Sequence, residues 1–266
     1  MKLGGFGLIA DYKKISAAGF DFAELDMPEI EKLCEEEFGH FCDAVDKNGF
    51  PVLTGARILP ITTPLFFVDG FKPMDLKDYL LKSCKRAHAL GIRKVILGNG
   101  KARSLLSEDD IKKERIFVEF LHMLADIAGN NGQELILEPL GPKYSNYINT
   151  IPEAVRIINE VNMPNIFTMA DLRHLVWSKE PFENLIDYSS YIHHIHIDYP
   201  LSYPERNYPK SDDNFDYSDF LKALKKSKYD DTLTIEADIP ENWNSAYKQV
   251  IEVLGNMRDK VLEGTQ

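Results

Sequence analysis

Short runs of apolar and β-branched residues alternate with longer stretches of helical periodicity along the whole chain. This alternation is typical of parallel sheets whose strands are joined by helical crossovers. Eight runs are predicted to form strands, at roughly 3–9, 21–26, 51–58, 94–98, 134–139, 166–171, 191–198 and 232–236. Helices are predicted at roughly 11–18, 28–47, 75–90, 108–130, 152–161, 180–188, 217–227 and 242–262. Eight such pairs predict an α/β fold, a closed (β/α)8 TIM barrel with residues 1–266 in a single domain.

Two features of the pattern mark element ends and loops. Thr150 and Glu153 have the spacing of a capping box, which predicts a helix that begins directly after Thr150. The longest irregular stretch, residues 200–214, follows the seventh predicted strand and is rich in tyrosine, proline and charge. Loops after barrel strands lie over the catalytic end of this fold, so this loop is expected to border a binding site.

Composition narrows the setting. The formal net charge is −11, which argues against DNA or RNA as a main partner because affinity for phosphate backbones depends on clustered lysine and arginine. There are three cysteines and no Cys-x-x-Cys pair, which favours a reduced, cytoplasmic protein over a disulfide framework. The apolar start, residues 1–10, runs straight into charged residues and predicts a first strand rather than a signal peptide or membrane span.

The last four predicted strands each end in a side chain that can bind a metal. These residues are Glu138, Asp171, His196 and Glu236. Singly, each has an ordinary explanation: a strand-end glutamate is usually solvated, an aspartate before a loop usually caps a helix, and a histidine is usually packed. Their spacings of 33, 25 and 40 residues each correspond to about one strand–helix unit. Because consecutive strand ends are neighbours in a barrel, the four side chains are predicted to converge on one point.

Such a convergence favours a bound cation. A carboxylate at the end of an apolar strand is costly to desolvate unless a charge compensates it, and one divalent ion can compensate several. Three carboxylates and one imidazole form an oxygen-rich ligand set, so we expect one divalent metal ion, Mn²⁺ first, with Mg²⁺, Co²⁺ and Zn²⁺ as alternatives. No glycine-rich dinucleotide fingerprint follows the first strand and no Walker-type motif occurs, so no nucleotide cofactor is expected.

Several stretches together resemble the xylose-isomerase-like TIM barrels, a group of sugar phosphate isomerases and epimerases that includes ketose 3-epimerases, hydroxypyruvate isomerase, inosose dehydratase and the endonuclease IV repair enzymes. The matching stretches are residues 18–25, residues 90–100 with Ala102-Arg103, residues 137–140 followed by Ser145-Asn146 and Asn149-Thr150, the Asp-x-x-His motif at 171–174, Arg206 with Tyr208-Pro209, Asp216-Tyr217 with Phe220, and residues 235–237. The resemblance covers nearly the whole chain.

The resemblance assigns roles to individual residues. Glu138, Asp171, His196 and Glu236 fall on the family's metal ligands, and Glu138 and Glu236 are its two catalytic carboxylates. His174 and Arg206 fall on positions that contact substrate oxygens, and Glu24 and Asn99 are expected to line the pocket. Residues 141–144 and 209–212 depart from the family pattern, which leaves the substrate open.

The function implied is a metal-dependent isomerase or epimerase that moves a proton next to the carbonyl of a small ketose or ketose phosphate through an enediolate. The first alternative is a dehydratase of a polyol ketone, which would lose a β-hydroxyl after the same proton abstraction. A metal-dependent endonuclease and a non-catalytic sugar-binding barrel are the remaining alternatives. The expected partner is a small sugar or sugar phosphate, with no nucleic acid and no membrane; self-association into a homo-oligomer is left open.

Overall fold

Eight parallel strands form a closed barrel in which every strand pairs with the next along the chain and the last pairs with the first. The computed structural model describes residues 1–263, with side chains described through Leu254. The strands are β1 Lys2–Gly7, β2 Phe22–Asp26, β3 Val52–Ala56, β4 Lys94–Leu97, β5 Glu134–Leu137, β6 Ile166–Asp171, β7 Ile192–Ile197 and β8 Thr232–Ile235. The predicted (β/α)8 TIM barrel is therefore confirmed.

Helices follow the strands and cover the outside of the barrel. They are α1 Tyr12–Ala18, α2 Met27–Lys32, α3 Glu35–Asn48, α4 Lys77–Ala89, α5 Glu114–Asn130, α6 Ile151–Val161, α7 Leu172–Ser178, α8 Asn184–Asp187, α9 Ser218–Lys226 and α10 Trp243–Glu263. Short 3₁₀ turns at Pro73–Leu76 and Glu108–Lys113 lead into α4 and α5. Among the helices described, none is long and apolar enough to cross a membrane.

Two helix predictions were wrong in detail, and one helix was missed. The single helix expected at 28–47 is two helices, because Cys34 adopts an extended backbone and its sulfur accepts the amide of Glu37 to start α3. The helix expected at 180–188 shrinks to α8. The sequence interpretation also missed α7, which begins directly at the end of β6 and ends where Lys179 takes a left-handed conformation with φ 53°.

The helix start predicted from the capping box is confirmed. The Thr150 side chain accepts a hydrogen bond from the backbone amide of Glu153, and the Glu153 carboxylate accepts from the amide of Thr150. These bonds satisfy amides that the first helical turn leaves without partners. Helix α6 then packs its apolar side, which includes Ala154 and Ile158, into the main hydrophobic core between the helices and the barrel wall.

The inside of the barrel is divided between an apolar and a polar group. Ile96, Ile136 and Met169, on β4, β5 and β6, form a small buried cluster separate from the main core. Polar side chains from β2, β3, β7 and β8 are also fully buried, among them Glu24 and His194. Because buried polar groups are costly without partners, this second group must be held by its own contacts.

Candidate functional site

The structure brings the four predicted metal ligands together at the carboxyl ends of consecutive strands. Glu138 directly follows β5, Asp171 ends β6, His196 is the penultimate residue of β7 and Glu236 directly follows β8. One candidate ligand atom from each residue lies within 4.8 Å of the others. This is the convergence expected from the strand order.

Strand register explains why the ligands share one layer. Asp171 on β6 pairs directly with His196 on β7. Side chains alternate between the two faces of a strand, so His194 and His196 point to the same side while Ile195 joins the outer core. Gly98 lies just after the neighbouring strand, β4. A Cβ at this position would lie 1.8 Å from Glu138 Oε2, so any residue other than glycine would clash with the Glu138 carboxylate.

His196 presents its Nδ1 atom to the carboxylates. Nδ1 lies 3.1 Å from Glu236 Oε2, 3.9 Å from Glu138 Oε1 and 3.9 Å from Asp171 Oδ2. Within the part of the chain that the structure describes, this nitrogen makes no hydrogen bond. A buried ring nitrogen without a partner, aimed at three carboxylates, is suited to donate its lone pair to a cation.

The two carboxylate oxygens of Asp171 have different contacts: one caps a helix and the other faces the candidate metal cluster. Oδ1 accepts hydrogen bonds from the amides of Arg173 and His174 and so caps helix α7. Oδ2 faces the cluster and lies 3.0 Å from Arg206 Nη2. Burial alone would raise the pKa of Asp171, but the nearby His174, Arg206 and His196 side chains outweigh it and lower that pKa below its usual range. The residue is therefore a helix cap and an anionic candidate ligand at once.

His174 lies against the candidate ligands rather than among them. Its Nε2 atom is 3.6 Å from both Glu138 Oε1 and Asp171 Oδ2, and its ring packs edge-on against Tyr144. Burial lowers the pKa of His174 to about 3, so the ring is neutral at physiological pH. A neutral imidazole at this position can donate one hydrogen bond toward a bound oxygen.

Arg206 lies across the cluster on the loop that follows β7. Its guanidinium contacts the carboxylates of Asp171 and Glu236, and its Nη1 also donates to the Glu236 carbonyl oxygen at 3.3 Å. The backbone amide of Arg206 is held by Asp238, at 3.2 Å from Oδ2. The structure places Arg206 beside the candidate metal ligands, and its contact with substrate oxygens stays a prediction.

The donor set fits a hard divalent ion. Three carboxylates converge with one imidazole, which is the kind of oxygen-rich set that Mn²⁺ and Mg²⁺ bind. Burial raises the pKa of Glu138 to about 7, against the opposing effects of His196 and Arg206. A divalent ion would add positive charge to this carboxylate-rich site.

A cavity of about 610 Å³ opens above this cluster. Its lining combines Glu138, His174, Arg206 and Glu236 with residues from the ends of β1, β3, β4 and β8. A volume of this size accommodates a small molecule, and its wall is formed at the end of the barrel where TIM-barrel sites lie.

Glu24 and Asn99, predicted to line the pocket, are held within the protein instead. Glu24 is fully buried in the barrel interior beneath the cluster. The Asn99 amide bonds to backbone groups of Leu59 and Ile61, in the loop after β3. Neither belongs to the wall of this cavity. Contact of these two side chains with a substrate stays a prediction.

The sequence interpretation also missed two buried groups beside the site. Arg173, inside the Asp-x-x-His motif, is fully buried, pairs with Asp198 at 2.6 Å and donates to backbone carbonyls of the loop from Tyr199 to Glu205. His194 lies one layer below His196. The spacing of two residues along a strand was the available signal for His194, but nothing in the pattern indicated that Arg173 holds the loop carrying Arg206.

Comparison with known proteins places this architecture in a family. A stretch of 184 residues is 28% identical to the inosose isomerase of Bacillus subtilis (strain 168), and the alignment covers 65% of this chain and 63% of that relative. The fold is similar to that of D-allulose 3-epimerase from Methylomonas sp., with a TM-score of 0.78, 19% identity and 97% of each chain covered. It is also similar to 3-keto-D-glucoside 4-epimerase from E. coli, with a TM-score of 0.75, 19% identity and coverage of 97% and 99%. Residues 12–257 match the family described as xylose isomerase-like TIM barrel, and the chain therefore belongs to that family.

Proposed function

We propose that this chain is a sugar isomerase or epimerase that holds one divalent metal ion and moves a proton beside the carbonyl of a small ketose or ketose phosphate. The observation that carries the proposal is the placement of Glu138 and Glu236. Both carboxylates belong to one candidate metal cluster, follow different strands (β5 and β8) and line the same cavity. The similar proteins named above, an inosose isomerase and two epimerases, support the same class.

The ion would be held by Glu138, Asp171, His196 and Glu236, with Mn²⁺ as the first candidate. When bound, it supplies the positive charge that polarises a carbonyl and makes the neighbouring C–H bond more acidic. The protein would supply the remaining requirement, which is a pair of carboxylates, Glu138 and Glu236, that can take and return a proton at the substrate carbon.

Proton transfer is assigned to the two glutamates. A carboxylate on each side of the reacting carbon can remove a proton from one face and return it to either face. Glu138 and Glu236 both line the cavity, where their carboxylates can accept a proton from the substrate carbon. Return to the opposite face gives an epimer, and return to the neighbouring carbon gives an isomer.

Two further side chains are assigned to substrate oxygens. His174 is neutral and buried, so its ring can donate a hydrogen bond without bringing another charge. Arg206 lies on the carboxylate cluster with its guanidinium partly open to the cavity, where it can bind an oxygen that gains negative charge. Together they would orient the carbonyl and its neighbouring hydroxyl.

Metal removal is the first test. We expect elemental analysis to find one divalent ion per chain, and EDTA to lower the melting temperature until Mn²⁺ restores it. An ion that binds only the folded protein at about 100 times its Kd adds ~2.7 kcal/mol. For a chain of this size, that corresponds to a shift of about 5–10 °C.

The matched variants for this test are Asp171→Asn and Glu180→Gln. The asparagine of the first variant would keep an oxygen to cap α7 but lose the negative charge, so the Mn²⁺-dependent shift should shrink while the protein stays folded. Glu180 is a buried carboxylate that accepts from Ile151 and Asn184, outside the cluster, and its variant should respond to Mn²⁺ like the wild type. A wild type that shows no metal and no Mn²⁺ response would contradict the proposal.

Solvent exchange is the second test. A proton held by a carboxylate that reaches the cavity should exchange with water between removal and return. Turnover of a ketose in D₂O is therefore expected to place deuterium on the carbon beside the carbonyl, detected by NMR or mass spectrometry of the product.

The other outcomes of this test distinguish the rival reactions. Turnover with no deuterium would favour a direct hydride shift between neighbouring carbons over proton transfer. A product that has lost water would favour the dehydratase. Ketoses incubated with heat-inactivated protein serve as the control for spontaneous exchange.

A further inference from the structure

Glu24 lies in the barrel interior between two histidines of β7. Its Oε1 atom is 2.9 Å from His196 Nε2, and its Oε2 atom is 2.9 Å from His194 Nε2. The hydroxyls of Thr54 and Thr234 also donate to Oε2, at 2.7 and 3.0 Å. All five side chains are at most 1% exposed, so the carboxylate is surrounded by donors and has no access to solvent.

Glu24 lies against the lower edge of the His196 ring. Among the described residues, His196 Nε2, His194 Nε2 and Glu24 Oε1 make no hydrogen bond of standard geometry, so the 2.9 Å approaches to Glu24 join groups that are otherwise unpaired. The opposite ring nitrogen, Nδ1, faces the carboxylates of Glu236 and Glu138. The two edges of the His196 ring therefore meet two different groups, the candidate metal ligands above and Glu24 below.

The same three residues could also be taken as a second metal site, since Glu24, His194 and His196 offer converging atoms. That assignment would require the His196 ring to give both nitrogens to cations and to lose its remaining N–H proton. The hydrogen bonds below Glu24, which link Lys94, Thr232 and His194, favour a proton on His194 Nε2 instead of a metal ion. Lys94 Nζ, which can only donate, lies 3.0 Å from Thr232 Oγ1. The Thr232 hydroxyl can then donate to His194 Nδ1, 2.8 Å away, leaving the proton of that ring on Nε2.

We propose that Glu24 is a positioning residue of the metal centre: it accepts the Nε2 proton of His196 and so holds the ring with its Nδ1 lone pair toward the other ligands. His194, with its proton on Nε2, holds Glu24 in turn. A carboxylate behind a ligand histidine sets which nitrogen carries the proton, orients the ring and makes the ligand more basic. This inference rests on the proposed metal function, because it requires Nδ1 of His196 to be the metal-binding atom.

The first measurement is Mn²⁺ affinity, by titration of the metal-free protein. Glu24→Gln is nearly isosteric but lacks the charge, and it can accept from only one of the two rings through its single carbonyl oxygen. We expect its Kd for Mn²⁺ to rise about 10–100-fold. Glu180→Gln, which removes a different buried carboxylate, is the matched control and should keep the wild-type Kd.

The second measurement determines by NMR which nitrogen of the His196 ring carries the proton. In protein labelled with ¹⁵N-histidine and loaded with Zn²⁺, which is diamagnetic, NMR should show His196 with its proton on Nε2 and the metal on Nδ1. That Nε2 proton should resonate far downfield in the wild type, as expected for a proton shared with a carboxylate, and should move upfield in Glu24→Gln. A merely structural role for Glu24 would leave this resonance unchanged.

The outcomes separate this inference from the proposed function. A wild type that binds neither Mn²⁺ nor Zn²⁺ overturns both. Wild-type binding with an unchanged Kd in Glu24→Gln overturns the positioning role alone. Two Zn²⁺ ions per chain, or a His196 proton found on Nδ1, also overturns it, because either result would make the lower cluster a ligand set rather than a support.

Discussion

Glu138→Gln and Glu236→Gln are each expected to lower turnover by about 10²–10⁴-fold. Each substitution removes a group that takes or returns the proton, and glutamine can do neither. Each also weakens the candidate metal cluster, because one of three carboxylates becomes neutral. Turnover is therefore measured at saturating Mn²⁺, with the Kd for Mn²⁺ determined separately for each variant, so that loss of metal and loss of acid–base chemistry are resolved.

Exchange of the substrate proton with D₂O, measured in variants that form no product, can assign each glutamate to one face of the substrate. If each glutamate serves one face of the substrate carbon, a single variant should still exchange the proton of one epimer with D₂O while forming no product. The Glu138 and Glu236 variants should then retain exchange on opposite epimers. Glu134→Gln is the matched control, since Glu134 begins β5, at the opposite end from Glu138, and pairs with His193 away from the candidate metal cluster. Near wild-type turnover in either active-site variant would remove that glutamate from the mechanism.

Arg173→Met is expected to destabilise the protein by about 3–5 kcal/mol, the usual range when one partner of a buried ion pair is removed. Arg173 is fully buried and Asp198 is 1% exposed, so the variant would remove the guanidinium 2.6 Å from the Asp198 carboxylate and leave it with the more distant Arg206, whose Nε lies 3.7 Å away. The melting temperature should fall by on the order of 10 °C. Activity should fall as well, because the loop that Arg173 holds carries Arg206 into the site.

Two further variants isolate the cause of that loss. In Arg173→Met/Asp198→Asn the uncompensated charge is gone, so part of the stability should return. Arg115→Met removes an arginine of a surface pair whose side chain is 87% exposed, where the expected effect is below about 1 kcal/mol. An Arg173→Met melting temperature equal to that of Arg115→Met would show that the buried pair does not stabilise the loop.

The barrel and its candidate cluster could be predicted because their signals are local and repeated. Each strand is a short apolar run, and each of the last four is followed by a side chain that can bind metal. Connections in a barrel bring consecutive strand ends together, so chain order was enough to expect Glu138 beside Asp171 and His196 beside Glu236. None of those steps required knowledge of a side-chain conformation.

What could not be predicted depends on contacts between strands that are distant in the chain. Glu24 was expected on the pocket wall, but its side chain lies fully buried in the barrel interior, where Thr54 donates to it. There it meets β7, a strand that is not its neighbour in the sheet. The start of α3 was missed for a different reason, because cysteine is an unusual residue to cap a helix and Cys34 gave no recognised signal.

The contacts of Glu24 also bear on how the chain folds. Glu24 and Thr234 are 210 positions apart, and contacts of such separation close late because the intervening loop must be ordered first. In a chain emerging from the ribosome, the carboxylate on β2 is made early, but the strands that carry its partners are made last. Until β7 and β8 are synthesised, Glu24 has no histidine partners, although its side chain is fully buried in the folded protein. We expect that unpaired charge to disfavour collapse of the half-synthesised barrel, so that Glu24 gains its partners only when the last two strands are in place.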